Sequence, residues 1–305
     1  MPLKRRVAQL AFDRYFRPRL RDLMKPQHPV VLDYAISPQP RYGFGKPPHP
    51  ALYEIFDDFR RGYEERLHRF IGLADFLREI AKTPGEGPLA AEPTFLNNYF
   101  LGLDAIALTA FLRDLRPATL LEIGSRNSTR FARRAVRDFR LPTRIVSCDP
   151  APRAEILGVA DEILEQPAET LPLDLFDGLS AGDVLFIDSS HQIFQNSDVT
   201  TLFLEALPRL RRGVIVHIHD ILLPYDYPPP WAERYYSEQY LLAMWLLADP
   251  QHFEILLPNA FVSSDAALSR ILDPLWEFPE LQRARAHALE QMYGFLGYSL
   301  WLRVA

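Results

Sequence analysis

The chain has 305 residues and only one cysteine, Cys148. An internal disulfide is excluded, and a zinc site built on several thiolates goes with it. Glycine is scarce at 14 residues, so this is not a flexible low-complexity chain. No apolar run approaches the ~20 residues a membrane-spanning helix needs. Met1 to Met24 is charged throughout and lacks the apolar core of a secretory signal. We therefore expect no integral membrane segment and a cytoplasmic protein. Positive charge is also in deficit: 34 Lys and Arg against 39 Asp and Glu leave a net charge of −5. A strongly basic nucleic-acid binder is not expected from that balance.

What is present is a large apolar complement, 48% with 12% aromatic, enough for a sizeable core. Proline is in excess, with 27 residues. The prolines concentrate at 26–50, with Pro26, Pro29, Pro38, Pro40, Pro47, Pro48 and Pro50, and again at 224–230. Both stretches read as ordered irregular segments. Charge is uneven too: residues 1–46 carry ten basic and three acidic side chains, an excess of seven positive charges. Within Lys4 to Met24, Val7, Leu10, Phe12, Tyr15, Phe16 and Leu20 give a rough helical pattern. Short length and moderate charge favour a docking or homo-oligomer contact there over a membrane or anionic partner.

Further along, apolar residues from Leu52 to Ile80 fall at 3–4 spacing, which predicts amphipathic helix. Residues 83–93 form a Pro/Gly breaker, and a helix is expected from about Asn98 to Leu115. The pattern then changes to strand–helix alternation. Continuous apolar runs at Thr119–Ile123, Arg144–Cys148, Asp183–Ile187 and Gly213–Ile218 each end in a polar cluster, with a weaker strand at Glu162–Leu164. Helices are expected over Asn127–Phe139, Ser197–Leu207 and about Ala232–Leu247. Phe253–Leu257 and Ser299–Val304 complete the strands, around a mostly helical insert at about 265–293. This is the signature of an α/β, doubly wound, mostly parallel sheet. We expect seven strands in a Rossmann-like arrangement, with a helical, proline-rich extension over 1–94 and a catalytic domain over 95–305.

Ligands of such sheets bind at the carboxyl ends of the strands, so the polar clusters should converge. The first is Glu122-Ile123-Gly124-Ser125-Arg126-Asn127-Ser128-Thr129, a tight turn into a helix whose backbone N–H groups can face a ligand. It is not the dinucleotide pattern G-x-G-x-x-G, because Arg126 and Thr129 replace the later glycines. The second is Asp149, placed to accept both hydroxyls of a ribose or, more blandly, to cap a turn before Pro150. The third and fourth are Asp188-x-x-His191 and His217-x-His219-Asp220. Carboxylates at neighbouring strand tips need a cation, a shared proton or separate hydrogen bonds. Asp188, His219 and Asp220 are thus candidate ligands for magnesium, manganese or zinc. His191 is a candidate general base on a hydroxyl. His217, inside an apolar strand, is expected to pack.

LLEIGSRNSTRFARRA, RIVSCDP, DVLFIDSSH and GVIVHIHDILLPYDYPPPW together resemble the class I S-adenosylmethionine-dependent methyltransferases. More narrowly they resemble the bacterial branch with macrolide-sugar and cephamycin-pathway O-methyltransferases. The resemblance covers about residues 95–262 plus the last strand. It implies that Gly124 with Ser125, Asn127 and Ser128 holds the methionine part of the cofactor, and that Glu122 lies near its amino group. Asp149 would bind the ribose, Glu169 would lie near the adenine, and Asp188 would border both cofactor and acceptor. Asp188 and Asp220 match that branch's metal-binding carboxylates, and His191 its base. Two positions depart: Arg126 stands in place of a second glycine, and His219 in place of a glutamate.

The activity this implies is O-methylation of a hydroxyl on a small molecule, sugar or natural product. Asp188 and His191 are the expected catalytic residues, and Tyr225, Tyr227 and Trp231 are candidates to cover the acceptor. Two other readings compete: a metal-dependent hydrolase using Asp188, His219 and Asp220, and an inactive assembly partner whose cofactor pocket Arg126 blocks.

Overall fold

The structure is a computed structural model that describes residues 36–83, 92–152, 156 and 158–305. The chain divides at Pro38 into two units, of which Gln39–Ala305 is the larger and carries the sheet. The expected basic helix within residues 4–24, the oligomer contact it was to make, and the first part of the 26–50 arm lie outside the described residues.

The single amphipathic pattern of 52–80 folds as three helices, α1 (Pro50–Asp57), α2 (Arg60–Ile71) and α3 (Ala74–Ala81). The breaks at 58–59 and 72–73 keep near-helical backbone, so the apolar spacing runs through them unbroken. Leu52, Phe56, Tyr63, Leu67, Phe70, Leu77 and Ile80 are buried and share the main core with the sheet. Next comes α4 (Gly102–Leu115), whose residues 102–112 are all buried. It starts later than the periodicity predicts because Asn97 closes a turn instead, its amide bonding the carbonyls of Thr94 and Phe100.

The alternating region comes next in the chain: β1 (Thr119–Ile123), α5 (Asn127–Asp138), β2 (Arg144–Cys148), β3 (Glu162–Leu164), α6 (Asp174–Asp177), β4 (Val184–Ile187), α7 (Asp198–Thr201) and β5 (Ile215–Ile218). The last part holds α8 (Glu238–Ala248), β6 (Phe253–Pro258), α9 (Asn259–Ser264), α10 (Ala266–Arg270), α11 (Asp273–Trp276), α12 (Pro279–Gln291) and β7 (Leu300–Val304). Among the described residues seven strands form one sheet in the order β3-β2-β1-β4-β5-β7-β6, all parallel except β7. This is the expected Rossmann-like class I methyltransferase arrangement, with an N-terminal helical extension and a helical insert before the last strand. No helix among the described residues is long and apolar enough to cross a membrane.

Two features of the fold place the site. The register pairs Ile187 with Ile218, so Asp188 and His219, the next residues, emerge side by side from β4 and β5. At β1, Gly124 has φ +87° and its N–H donates to the Cys148 carbonyl at 2.8 Å. A Cβ there would drive into the Asp188 carbonyl oxygen. Only glycine lets the β1 turn lie this close to the β4 tip.

The two proline-rich stretches are tied to one another. The N–H groups of Arg41 and Tyr42 donate to Asp226 Oδ2 at 2.6 and 2.9 Å, and the His49 N–H donates to the Pro224 carbonyl at 2.9 Å. Among the described residues, the end of the first stretch is thus bonded to the start of the second, and each proline in them has its φ fixed in advance.

Gly124→Ala combines the backbone clash with an unfavourable φ. It should cost about 2 kcal/mol or more of stability in urea unfolding.

Candidate active site

A cavity of about 610 Å³ opens at the carboxyl ends of the strands. That is within the range of pockets that enclose drug-sized ligands. Its wall brings together Gly124, Ser125, Arg126, Asp149, Glu169, Asp188, His191, His219 and Asp220, contributed by the ends of β1, β2, β4 and β5 and the turn after β3.

On one side, Asp149 Oδ2 accepts from the Ser125 N–H at 3.1 Å and from Ser125 Oγ at 2.6 Å, and its Oδ1 from the Ala151 N–H at 2.8 Å. The carboxylate is held at the cavity wall in one orientation. Cys148 also lines this side. Burial, with the Asp149 and Glu169 charges, pushes its thiol up to about 12, so it stays protonated and inert. Arg126 does not fill the cavity: its guanidinium lies over the Tyr99 ring, 5.0 Å from the centroid.

Glu122, Asn127 and Ser128 are not on the cavity wall. Glu122 is wholly buried and accepts from Ser128 Oγ at 2.5 Å, Thr129 Oγ1 at 2.6 Å and Ser147 Oγ at 3.2 Å. The alternation of β1 explains this. Side chains along a strand take opposite faces, and Glu122 faces the start of α5 rather than the strand tip. Its role here is to bind α5 to β1 and β2. Burial raises its carboxyl to about 7 against the three hydroxyl bonds.

On the other side lies a cluster of imidazoles and carboxylates. His191 Nδ1 meets Glu238 Oε2 at 2.8 Å, and its Nε2 lies 3.3 Å from Asp188 Oδ1 and 3.5 Å from Asp220 Oδ2. Glu238, on the first turn of α8, is fully buried, and its other oxygen accepts from Ser189 Oγ at 3.2 Å. The Ser237 and Glu238 N–H groups both donate to the His191 carbonyl, so α8 grips this residue by ring and backbone. His191 itself sits at φ +60° and Asp220 at φ +56°, left-handed conformations that turn both side chains off the ends of their strands.

His219 is buried with Nε2 3.4 Å from Asp104 Oδ2, and Nδ1 3.4 Å from Asp220 Oδ1 and 3.7 Å from Asp188 Oδ1. These distances give charge attraction, but neither ring nitrogen has a hydrogen-bond partner among the described residues. Asp104, fully buried on α4, accepts from the Tyr298 and Ser299 N–H groups and from Asn259 Nδ2.

Burial and these contacts set the charge states. Burial alone would lower the proton affinity of both imidazoles. For His191 the hydrogen bonds to Asp188 and Glu238 outweigh burial, and for His219 the charge of Asp220 with Asp104 and Asp188 does. Both rings are held well above the ordinary histidine range. Burial alone would likewise push Asp188 up, but the two imidazoles hold it well below the usual carboxylate range. Burial keeps Asp220 and Glu238 raised. His217, by contrast, is a core ring stacked between Phe186 and Trp301 at 4.3 and 3.8 Å, and burial holds it neutral.

Asp188, His219 and Asp220 do meet, as the metal reading expects. His219 Nδ1 lies 3.4 Å from Asp220 and 3.7 Å from Asp188. Among the described residues no group of three or more His, Cys, Asp or Glu side chains is arranged to hold a metal ion. The donor set in this arrangement does not fit a metal cage.

The proline-rich loop differs from expectation as well. Tyr227 and Trp231 are buried in a satellite core with Leu101, Leu222, Met292 and Tyr298, and Tyr225 packs against it. The tyrosines on the cavity wall are Tyr99 and Tyr236, the latter beyond the loop with Arg234 beside it. No local pattern singles out Glu238, Asp104 or Tyr236, because each is one residue in an ordinary helix or loop. The nearest sequence signal was the acidic residue on the first turn of a helix that follows a proline-rich segment.

A methyltransferase-domain family model matches residues 121–221. No curated protein matches the chain. Among solved structures the chain is similar to an SAH-bound methyltransferase of Podospora anserina, at 18% identity over 67% of this chain and 78% of that chain, with a TM-score of 0.39. It is also similar to an O-methyltransferase of Bacillus cereus in complex with SAH, at 13% identity over 77% of this chain and 90% of that chain, with a TM-score of 0.39.

The raised Glu122 carboxyl gives a pH test. The native state keeps a proton that the unfolded chain releases near pH 4.3. Its contribution is complete below that pH and is lost as pH rises through about 7. The loss is on the order of 3 kcal/mol. Glu122→Gln should flatten the fall in stability between pH 5 and pH 8, measured by denaturant unfolding at each pH.

Proposed function

We propose that the chain is an S-adenosylmethionine-dependent O-methyltransferase acting on a hydroxyl of a small molecule. The observation that carries this reading is the cavity in which the glycine turn of β1, Asp149 of β2 and the Asp188–His191 pair of β4 share one wall. The family match over residues 121–221 covers these elements.

The cofactor supplies an electrophilic methyl group on a cationic sulfur. The residues present fit such a ligand. Gly124 and Ser125 bring backbone to the wall without side-chain bulk, Asp149 offers carboxylate oxygens to ribose hydroxyls, and Glu169 lies on the same side. Arg126, folded over Tyr99, leaves this space open, which speaks against an inactive fold blocked at that residue.

At the other end His191 is the proposed base. Glu238 accepts from Nδ1–H, so the neutral ring keeps its lone pair on Nε2, on the side of Asp188 and Asp220. Asp188 and Glu238 give this nitrogen a strong affinity for a proton. Positive charge brought into the cleft opposes the imidazolium and favours the neutral, basic ring. Nε2 would then take the acceptor's hydroxyl proton as the bound cofactor supplied the methyl group to that oxygen, the carbon–sulfur bonding electrons remaining with sulfur. Holding both reactants at the strand ends supplies the near-attack geometry. No step is routed through a metal.

Titration calorimetry with S-adenosylhomocysteine should show binding, weakened at least tenfold in Asp149→Ala. Absence of heat at millimolar ligand would overturn the proposal. With any acceptor that turns over, His191→Ala should lower kcat by about 10²-fold or more with cofactor affinity retained. Glu238→Gln should lower kcat less, at unchanged KM for the cofactor.

A further inference from the structure

The cavity wall next to His191 carries a cation that the methyl-transfer chemistry does not use. Arg234 lines the cavity, and its guanidinium lies 4.7 Å from the Trp231 ring centroid and 5.5 Å from that of Tyr236. Trp231 is buried and packs against Tyr236 and Tyr298, so this aromatic shelf is rigid. The backbone is fixed as well, because the Arg234 carbonyl accepts from Gln192 Nε2 at 2.8 Å. Among the described residues no acidic side chain pairs with the Arg234 guanidinium. Surface arginines elsewhere in this chain commonly do pair, as Arg134 and Arg137 do with Glu92 and Arg209 with Asp177. An arginine whose guanidinium lies against rings instead of a carboxylate keeps its N–H donors available to a carboxylate or phosphate.

The shelf also sets a distance. Tyr236 lies near both functional groups, its ring 4.7 Å from that of His191. The guanidinium and the imidazole are therefore at most about 10 Å apart. A compact acceptor can span that gap, with its hydroxyl at Nε2 of His191 and a second group at Arg234.

We propose that Arg234 is a specificity-determining residue that receives an anionic group, carboxylate or phosphate, on the methyl acceptor. The acceptor class is thus a hydroxylated organic acid or phosphate whose charged group lies within about 10 Å of the hydroxyl that is methylated. This rests on the methyltransferase reading of the same cavity. The other arginine on the wall, Arg126, sits on the Tyr99 side, beside the glycine turn. It is assigned no part in acceptor recognition.

Calorimetric titrations of the full chain test this with three phenyl probes: benzoate, its neutral isostere benzamide, and phenyl phosphate. S-adenosylhomocysteine is added to saturation so that the cofactor side is filled. At least one anion should bind tenfold or more tighter than benzamide, and which one does so identifies the group. Arg234→Gln should abolish the preference, Arg234→Lys should restore part of it, and Arg126→Gln should keep it. The inference falls if neither anion is preferred, if the preference survives Arg234→Gln, or if it disappears in Arg126→Gln instead. Failure of S-adenosylhomocysteine to bind would overturn the methyltransferase reading by itself. The probe titrations on the protein alone would still read out Arg234.

Discussion

Charge balance in a cluster of buried and half-buried groups on the cavity wall is the constraint on which this structure turns. Asp104, Asp188, Asp220 and Glu238 meet the rings of His191 and His219 at the ends of β4 and β5. Ionised carboxylates this close and this buried are costly unless opposite charge stands between them. The two imidazoles provide part of it, and burial raises the proton affinity of Asp220 and Glu238. Because the six groups come from α4, β4, β5 and α8, neutralising them also fixes those elements against one another. Asp104 extends the constraint to the start of β7 through the backbone of Tyr298 and Ser299.

That arrangement divides labour within the cavity. On the side of β1 and β2, neutral backbone and a hydroxyl-held carboxylate make a surface for a polar ligand, with an inert thiol behind it. On the side of β4 and β5, an imidazole gripped by a buried glutamate makes a proton-handling group. His219 sets the electrostatics of this second side. The position contributes a cation among carboxylates, and positive charge is then supplied by the chain itself. Beyond both, the bonded proline-rich segments and the satellite core set the aromatic shelf on which Arg234 rests.

Several of these features were legible in the residues alone. Four apolar runs, each closed by a polar cluster, suffice to predict a parallel sheet with its ligand site at one edge, since a fully covered strand leaves only its tip for chemistry. Gly124, Asp149, Asp188, His191, His219 and Asp220 were found this way, and all line one cavity. The stacking role of His217 follows from its place inside an apolar strand.

Tertiary structure alone decided the rest. Glu122 stands two residues from the glycine turn, yet strand alternation points it at α5, so nearness in sequence misplaces it. Glu238 and Asp104 lie 47 residues after His191 and 155 before Asn259, and nothing local marks either as a partner. The aromatic residues of the proline-rich loop went to packing, and the site took Tyr236 and Arg234 from just beyond it. Local pattern determines which residues end strands or face a core, because that depends on period and chain stiffness. Which carboxylate meets which ring depends on packing between distant segments, and burial then sets the proton each group carries.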